Sequence, residues 1–173
     1  FQRLEGYTVF IITEGMGNLL VNDREHRFLG NTMLCLSPYE PFKIMSKAGG
    51  YQLTFHSDFL CVYKHHTEVA GNGALFDSLY SLPLFSLDEE ETKQLLPVIE
   101  QMKNEFNSTG LARQEVLVSL LKIFLINAVR IKVSRYPSDA KRLKESEPLV
   151  LQKLRDALEK HYKEKHTAGA YAE

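Results

Sequence analysis

The chain has 173 residues, 44% of them hydrophobic, which is enough to build one sizeable domain or two small ones. Its 21 basic and 22 acidic residues leave a formal net charge of −1, so no chain-wide field marks it as a nucleic-acid or membrane binder. The cysteines, Cys35 and Cys61, have no metal-binding spacing and predict neither a disulfide framework nor a zinc site. We therefore expect reduced thiols and a cytoplasmic protein.

Short runs of aromatic and β-branched residues, separated by turn residues, predict strands in the first part of the chain. In chain order these predicted strands are residues 7–13, 18–21, 26–29, 32–37, 42–45 and 51–56. Asn22 and Asp23 form one predicted turn, because their side chains tolerate a left-handed backbone. Strands at this spacing, with no helix between them, favour an antiparallel sandwich or barrel over a parallel sheet, which would need crossover helices.

Helical character begins after about residue 86. Ser86 is a predicted N-cap, and Glu89 follows three residues later as in a capping box. Apolar residues then recur at helical spacing at Leu95, Ile99, Met102 and Phe106. Pro97 lies within this pattern and removes a backbone donor, so we expect a kink or a short helix followed by a restart.

A second helix is predicted over residues 113–133. Apolar residues cover about two thirds of its circumference, whereas packing on one side needs a stripe nearer 100° wide. One apolar side is expected to pack on the sheet and the preceding helix, and the other to meet the same helix of a second subunit across a two-fold axis. The predicted dimer residues are Leu117, Leu121, Phe124, Leu125 and Ala128. The alternative is a helix at the centre of a monomer.

The last part of the chain changes character. Residues 136–147 combine Pro137 with several charges and no apolar periodicity, which predicts a solvated linker. A new helix is predicted to begin near Pro148, and a second helix start at Thr167 is followed by only a few residues. We interpret residues 148–173 as a truncated domain. Since the chain opens at Phe1 without a methionine, we also expect a missing N-terminal segment.

The motifs that would indicate an enzyme are absent from the sequence. His26 and His56 are far apart, while His65 and His66 are adjacent and would face opposite sides of a strand. No glycine-rich phosphate loop, nucleophile elbow or recognisable Cys–His pairing occurs. We therefore expect no catalysis, no metal and no cofactor, and a metal-dependent cupin enzyme remains the alternative.

A binding cavity is compatible with the strands, because small barrels and sandwiches can hold a ligand between their walls. The predicted ligand-binding residues are aromatic or polar strand residues that could point inward: Tyr7, Phe10, Ile12, His26, Tyr51, Thr54 and His56. The alternative is that most of them are core or surface residues. The nearly continuous apolar run of the first strand gives no alternation from which to assign its inward face.

Three groups of residues resemble the AraC family of bacterial transcription regulators. Residues 15–22, 36–38, 50–55 and 58–60 look like that family's N-terminal cupin-like barrel, and residues 111–117 with the helix beyond them look like its paired dimerisation helices. The pattern at the end is similar to the family's first helix-turn-helix unit and consists of Leu151, Leu154, Leu158, His161, Tyr162, His166, Thr167, Tyr171 and Ala172.

The resemblance implies an α+β fold in four parts. Residues 1–87 would form an antiparallel, jelly-roll type cupin-like barrel, 88–135 an antiparallel helical pair, 136–147 a linker and 148–173 an incomplete all-α helix-turn-helix domain. It also implies a homodimer in which a small-molecule effector of unknown identity changes how DNA-binding domains are presented. Because the recognition helices are missing, operator DNA would bind only the full-length protein, and no membrane contact is expected. A barrel interaction module without a small-molecule ligand is the other alternative.

Overall fold

The computed structural model describes residues 1–56, 75–76 and 82–137 of the chain. The elements in these segments are β1 (Tyr7–Gly15), β2 (Gly17–Val21), β3 (Arg24–Phe28), β4 (Thr32–Leu36), β5 (Phe42–Ile44), β6 (Ala48–Phe55), β7 (Leu84–Ser86), α1 (Glu89–Phe106) and α2 (Arg113–Arg135). The predicted linker, apart from its first two residues, and the predicted helix-turn-helix segment lie outside the described residues.

The described strands form two antiparallel sheets. A four-stranded sheet has the order β6-β1-β4-β7, and a three-stranded sheet has the order β3-β2-β5. The predicted α+β class and the antiparallel pairing are therefore confirmed. The sheets share no strand, so the described part of the fold is a pair of sheets and not a closed barrel. The turn that joins β2 to β3 has the predicted left-handed backbone, with φ of 50° at Asn22 and 61° at Asp23.

Strand β1 is buried on both faces. Val9 and Ile11 point towards a core shared with the helices, whereas Phe10 and Ile12 point towards a core shared with the three-stranded sheet. A strand covered on both sides needs apolar residues at consecutive positions, which explains the continuous apolar run of β1. The four-stranded sheet is thus the middle layer, between the three-stranded sheet and the helical pair.

Helix α1 begins two residues later than predicted. Its N-cap is Asp88, whose carboxylate accepts a hydrogen bond from the Glu91 backbone at 2.8 Å, while the Glu91 side chain accepts one from the Asp88 backbone at 2.8 Å. Ser86 belongs instead to β7, where it pairs with Thr32 of β4. The predicted restart does not occur, because α1 is one helix through Pro97, which lies on its exposed side.

Helix α2 packs against α1 and the four-stranded sheet. Its last turn is held by two cationic side chains. Lys132, which is buried, donates from Nζ to the carbonyl oxygen of Leu82 at 2.7 Å and lies 5.7 Å from the ring centroid of Phe85. Arg135 donates to both carboxylates of the α1 capping box, Asp88 and Glu91. The end of α2 is therefore fixed both to the entry of β7 and to the start of α1.

Candidate functional site

Two of the predicted ligand-binding residues face the helices and not the other sheet. The Tyr7 ring packs on Phe55 and Phe76, with centroid separations of 5.8 and 4.9 Å. Hydrogen bonding to the carboxylate of Glu100 on α1, together with the negative charge of that carboxylate, raises the pKa of Tyr51. Both tyrosines therefore lie where the sheet meets the helical layer.

Three of the predicted residues lie on the side of the four-stranded sheet that faces the three-stranded sheet. Ile12 is buried there, and the partly buried Phe10 ring lies 5.5 Å from the ring of Phe42. Thr54, on the edge strand β6, is exposed, and its hydroxyl lies 3.1 Å from that of Thr8. This surface carries polar groups at β6 and is apolar towards β4.

Apolar side chains fill the space between the two sheets. The buried members of this core, each at most 3% exposed, are Ile12, Leu19, Val21, Phe28, Leu34, Leu36 and Phe42. Three of them come from the four-stranded sheet and the other four from the three-stranded sheet. A ligand seated between the centres of these strands would have to displace packed side chains, which is costly in a close-packed interior.

A cleft of about 260 Å³, open to solvent, lies instead where the edges of the two sheets approach each other. One border is β3, at the edge of the described three-stranded sheet, and the other is β7, at the edge of the described four-stranded sheet. The residues that line it are His26, Arg27, Leu29, Thr32, Leu82, Leu84, Ser86 and Tyr136. We call it the edge cleft.

His26 is the one predicted ligand-binding residue that lines the edge cleft. It pairs with Leu19 of β2, and since Leu19 is buried between the sheets, His26 points to the inner side of β3. Burial, with a smaller contribution from the charge of Arg24, lowers the pKa of His26 below its usual 6.5. The imidazole is therefore neutral at pH 7 and offers one donor and one acceptor. His56, by contrast, is exposed after the end of β6.

Sequence reasoning missed the other polar residues of the edge cleft. Thr32 donates its hydroxyl hydrogen to the Leu29 carbonyl at 2.8 Å, so its oxygen is left to accept. The sequence predicts Ser86 as a helix cap and Tyr136 as the first linker residue. Alternation along β3, with His26 and Phe28 on one side, is the local signal that could have placed His26. No local signal brings Ser86 or Tyr136 to the same place.

Four of the five predicted dimer residues lie inside a single chain. Leu121, Phe124, Leu125 and Ala128 are at most 2% exposed and pack in the core between the helices and the sheet, and Leu117 is half-buried. At the margin of this buried face of α2, Val116 is 40% and Ile123 is 49% exposed, and the half-buried Leu120 between them packs against the same core. These last three residues, at helical spacing, form what we call the outer stripe of α2.

The thiol of Cys35 in the core and the carboxylate of Glu40 in a loop are both buried. Burial raises the pKa of Cys35 to about 12, with opposing effects from the charges of Lys132 and Glu40, so its thiol stays protonated and is a poor nucleophile at neutral pH. The Glu40 carboxylate accepts hydrogen bonds from the Ser37 backbone at 2.9 Å and from the Asn22 side chain at 2.6 Å. These two hydrogen bonds of Glu40 hold the loop before β5 in place.

Within residues 1–56, 75–76 and 82–137, no group of three or more histidine, cysteine, aspartate or glutamate side chains is placed to hold a metal ion. Cys61, His65 and His66 lie outside these ranges. In the same part of the chain, neither helix combines the length and the apolar composition that a membrane crossing needs.

No family model matches the sequence, and no curated protein is similar to it. The resemblance to the AraC family therefore stays a prediction that depends on the sequence motifs given above.

Proposed function

We propose that the chain is the effector-sensing and dimerising part of a cytoplasmic AraC-type transcription regulator, with a cupin-like sensor domain. The observation that supports this most directly is the order of the layers. Two antiparallel sheets are followed by a helical pair that packs on one of them, which is the order that the resemblance implies. In the full-length protein, a bound small molecule would change how the dimer presents its DNA-binding domains to operator DNA.

The dimer contact is best assigned to the outer stripe of α2. Val116, Leu120 and Ile123 recur on one side of the helix, and two copies of such a stripe can bury each other across a two-fold axis. The fully buried residues of α2 next to this stripe already hold the chain's own core together. The proposed interface therefore uses Val116, Leu120 and Ile123 in place of the dimer residues predicted from the sequence.

Sedimentation of the Ile123→Glu variant tests this interface. We expect the wild-type chain to dimerise at micromolar concentrations, and the variant to sediment as a monomer because a carboxylate would be buried in the apolar contact. Met45→Glu is the matched control: Met45 is 45% exposed, close to the 49% of Ile123, but follows β5 in the other outer layer. The proposed dimer would be overturned if the wild-type chain were monomeric at high micromolar concentration, or if Ile123→Glu and Met45→Glu weakened dimerisation equally.

A thermal-shift screen with sugars, organic acids and other metabolites tests the sensing part. A ligand at about 100 times its dissociation constant stabilises the native state by about 2.7 kcal/mol. For a chain of this size that corresponds to a rise in melting temperature of roughly 5–10 °C. A broad panel without any such rise would count against small-molecule sensing.

A second candidate function is an interaction module without a small-molecule ligand. The filled space between the two sheets favours it, since a sensor whose ligand sits inside the sandwich would need room there. It predicts no thermal shift with any metabolite. A small molecule that binds at the rim of the sheets would support the sensor and exclude the interaction module.

A further inference from the structure

The edge cleft touches all three layers of the fold. Leu84 of β7 belongs to the core between the sheets, while Tyr136, just after α2, packs against the core between the sheet and the helices. His26 contributes the third wall from the three-stranded sheet. A molecule in the cleft would therefore contact the sheets and the end of the helical pair at once.

The lining of the edge cleft is chemically divided. Leu29, Leu82 and Leu84 supply an apolar wall, and side-chain hydroxyls come from Thr32, Ser86 and Tyr136. His26 adds a neutral imidazole, which can donate one hydrogen bond. Such a division suits a ligand with an apolar body and one polar end.

The charges around the edge cleft favour an anion. None of the described residues that line it is acidic, and Arg27 borders it on β3. Arg24 lies two residues before His26, on the same face of β3, and its charge contributes to the lowered pKa of His26. Burial is the larger cause of that lowered pKa, and the positive charge of Arg24, the smaller cause, would also attract a carboxylate.

We infer that the edge cleft binds a small monocarboxylate with an apolar body, and that its occupancy is sensed at Tyr136 where the chain leaves α2. The volume of about 260 Å³ is below the range typical of drug-sized ligands and fits a small metabolite. The binding half of this inference stands on the cleft itself. The regulatory half rests on the proposed function, since it needs a DNA-binding domain beyond the linker.

The last turn of α2 connects the cleft to the chain beyond it. Leu82 lines the cleft, and its carbonyl oxygen accepts the hydrogen bond from Lys132 that holds this turn. The Tyr136 backbone in turn donates to the Lys132 carbonyl at 2.9 Å. A ligand pressed against Leu82 and Tyr136 therefore acts on the residues that set the direction in which the chain leaves the helix.

Titration of the 173-residue chain with benzoate and with hexanoate, followed by NMR, tests the binding half. We expect saturable shifts of the His26 ring and Tyr136 resonances, and binding at least about tenfold weaker for the neutral analogues benzamide and hexanamide. Bound carboxylate should also raise the pKa of His26, because it favours the charged imidazolium. Equal binding of acids and amides, or no saturable shift up to about 10 mM, would overturn the assignment.

Variants locate the site. Ser86→Leu fills the cleft from an exposed edge position, and His26→Gln removes the imidazole; each should weaken benzoate binding by at least about tenfold. His56→Gln is the matched control, because His56 lies outside the lining and should leave binding unchanged. Equal weakening in His56→Gln would refute the location, and the shift map of the wild-type chain decides it should a variant fail to fold.

The regulatory half is tested by Tyr136→Ala in the full-length protein. We expect benzoate to bind this variant but no longer to change operator affinity, whereas an unchanged response would overturn the role of Tyr136. The two proposals fail separately. If a metabolite stabilises the wild-type chain and the Ser86→Leu variant equally, small-molecule sensing is supported and the assignment of the binding site to the edge cleft is refuted. If benzoate binds in the edge cleft but the full-length protein binds no operator DNA, the binding site is supported and the proposed regulator function is refuted.

Discussion

Replacing Phe124 by alanine tests which side of α2 holds the chain together. Phe124 is 0% exposed, in the core between the helices and the sheet. Truncating such a phenylalanine removes its transfer free energy and leaves a cavity, a loss of about 3–5 kcal/mol in the free energy of unfolding. That is a large share of the roughly 5–15 kcal/mol that stabilises a typical domain. Ile123→Ala, next to it but 49% exposed, should cost less than about 1 kcal/mol.

Urea unfolding followed by circular dichroism measures both losses. The midpoint should fall sharply for Phe124→Ala without a change in slope, and by little for Ile123→Ala. In thermal melts the Phe124 loss corresponds to a drop of roughly 6–20 °C. Measurements at low concentration separate chain stability from dimerisation, since only the latter depends on concentration. If the Phe124 loss vanished on dilution, Phe124 would belong to the contact between subunits and our assignment of α2's two sides would be refuted.

Three further predictions concern single positions. Gly50→Ala should lower the free energy of unfolding by about 2 kcal/mol or more, because φ is +153° and an added Cβ would meet a carbonyl of β1. At Gly49 an added Cβ has room, so Gly49→Ala should lower it little. Thermal melts measure both losses. Asp88→Ala should lose about 1 kcal/mol with the α1 cap, and the exposed Glu90→Ala almost nothing. In the fold the Cys35 thiol has a pKa of about 12, against its usual 9.0, so it keeps its proton at a pH where the unfolded chain loses it. The free energy of unfolding should therefore fall as the pH rises from about 9 towards 12. The fall should be less steep in Cys35→Ala.

Each of these predictions has a clear contrary result. Equal losses at Gly50 and Gly49 would mean that backbone conformation does not decide the effect. An Asp88→Ala variant as stable as Glu90→Ala would show that the capping box contributes nothing. Identical pH dependence of the wild-type chain and Cys35→Ala would mean that the thiol is not held protonated by burial.

The strand order along the chain was predictable because local signals mark it. The turn at Asn22 and Asp23 adopts the left-handed backbone that its residue types favour, and the strands predicted on either side of it, residues 18–21 and 26–29, correspond to β2 and β3. Strand β7 was missed because it has three residues and follows Pro83. Its pairing partner, β4, lies some fifty residues earlier, so β7 exists through a long-range contact and not through local propensity.

The candidate site was less predictable than the fold. Strand alternation places Tyr7 and Phe10 on opposite faces of β1. Because β1 is covered on both sides, the sequence does not show which of these faces meets the helices and which meets the other sheet. His26 and His56 look equivalent in the sequence, yet one lines the edge cleft and the other is exposed. The difference arises from the approach of β7, which local patterns do not specify.

The end of α2 joins what was predicted separately as sensor, helical pair and linker. Within one turn, Lys132 bonds to the entry of β7, Arg135 to the capping box of α1, and Tyr136 borders the edge cleft. Each contact belongs to a different part of the fold, so a displacement of this turn must change more than one of them in a close-packed interior. A sensor needs such an element, because a ligand shifts an equilibrium only through contacts that differ between the two states. The last turn of α2 is where a ligand in the cleft would make that difference.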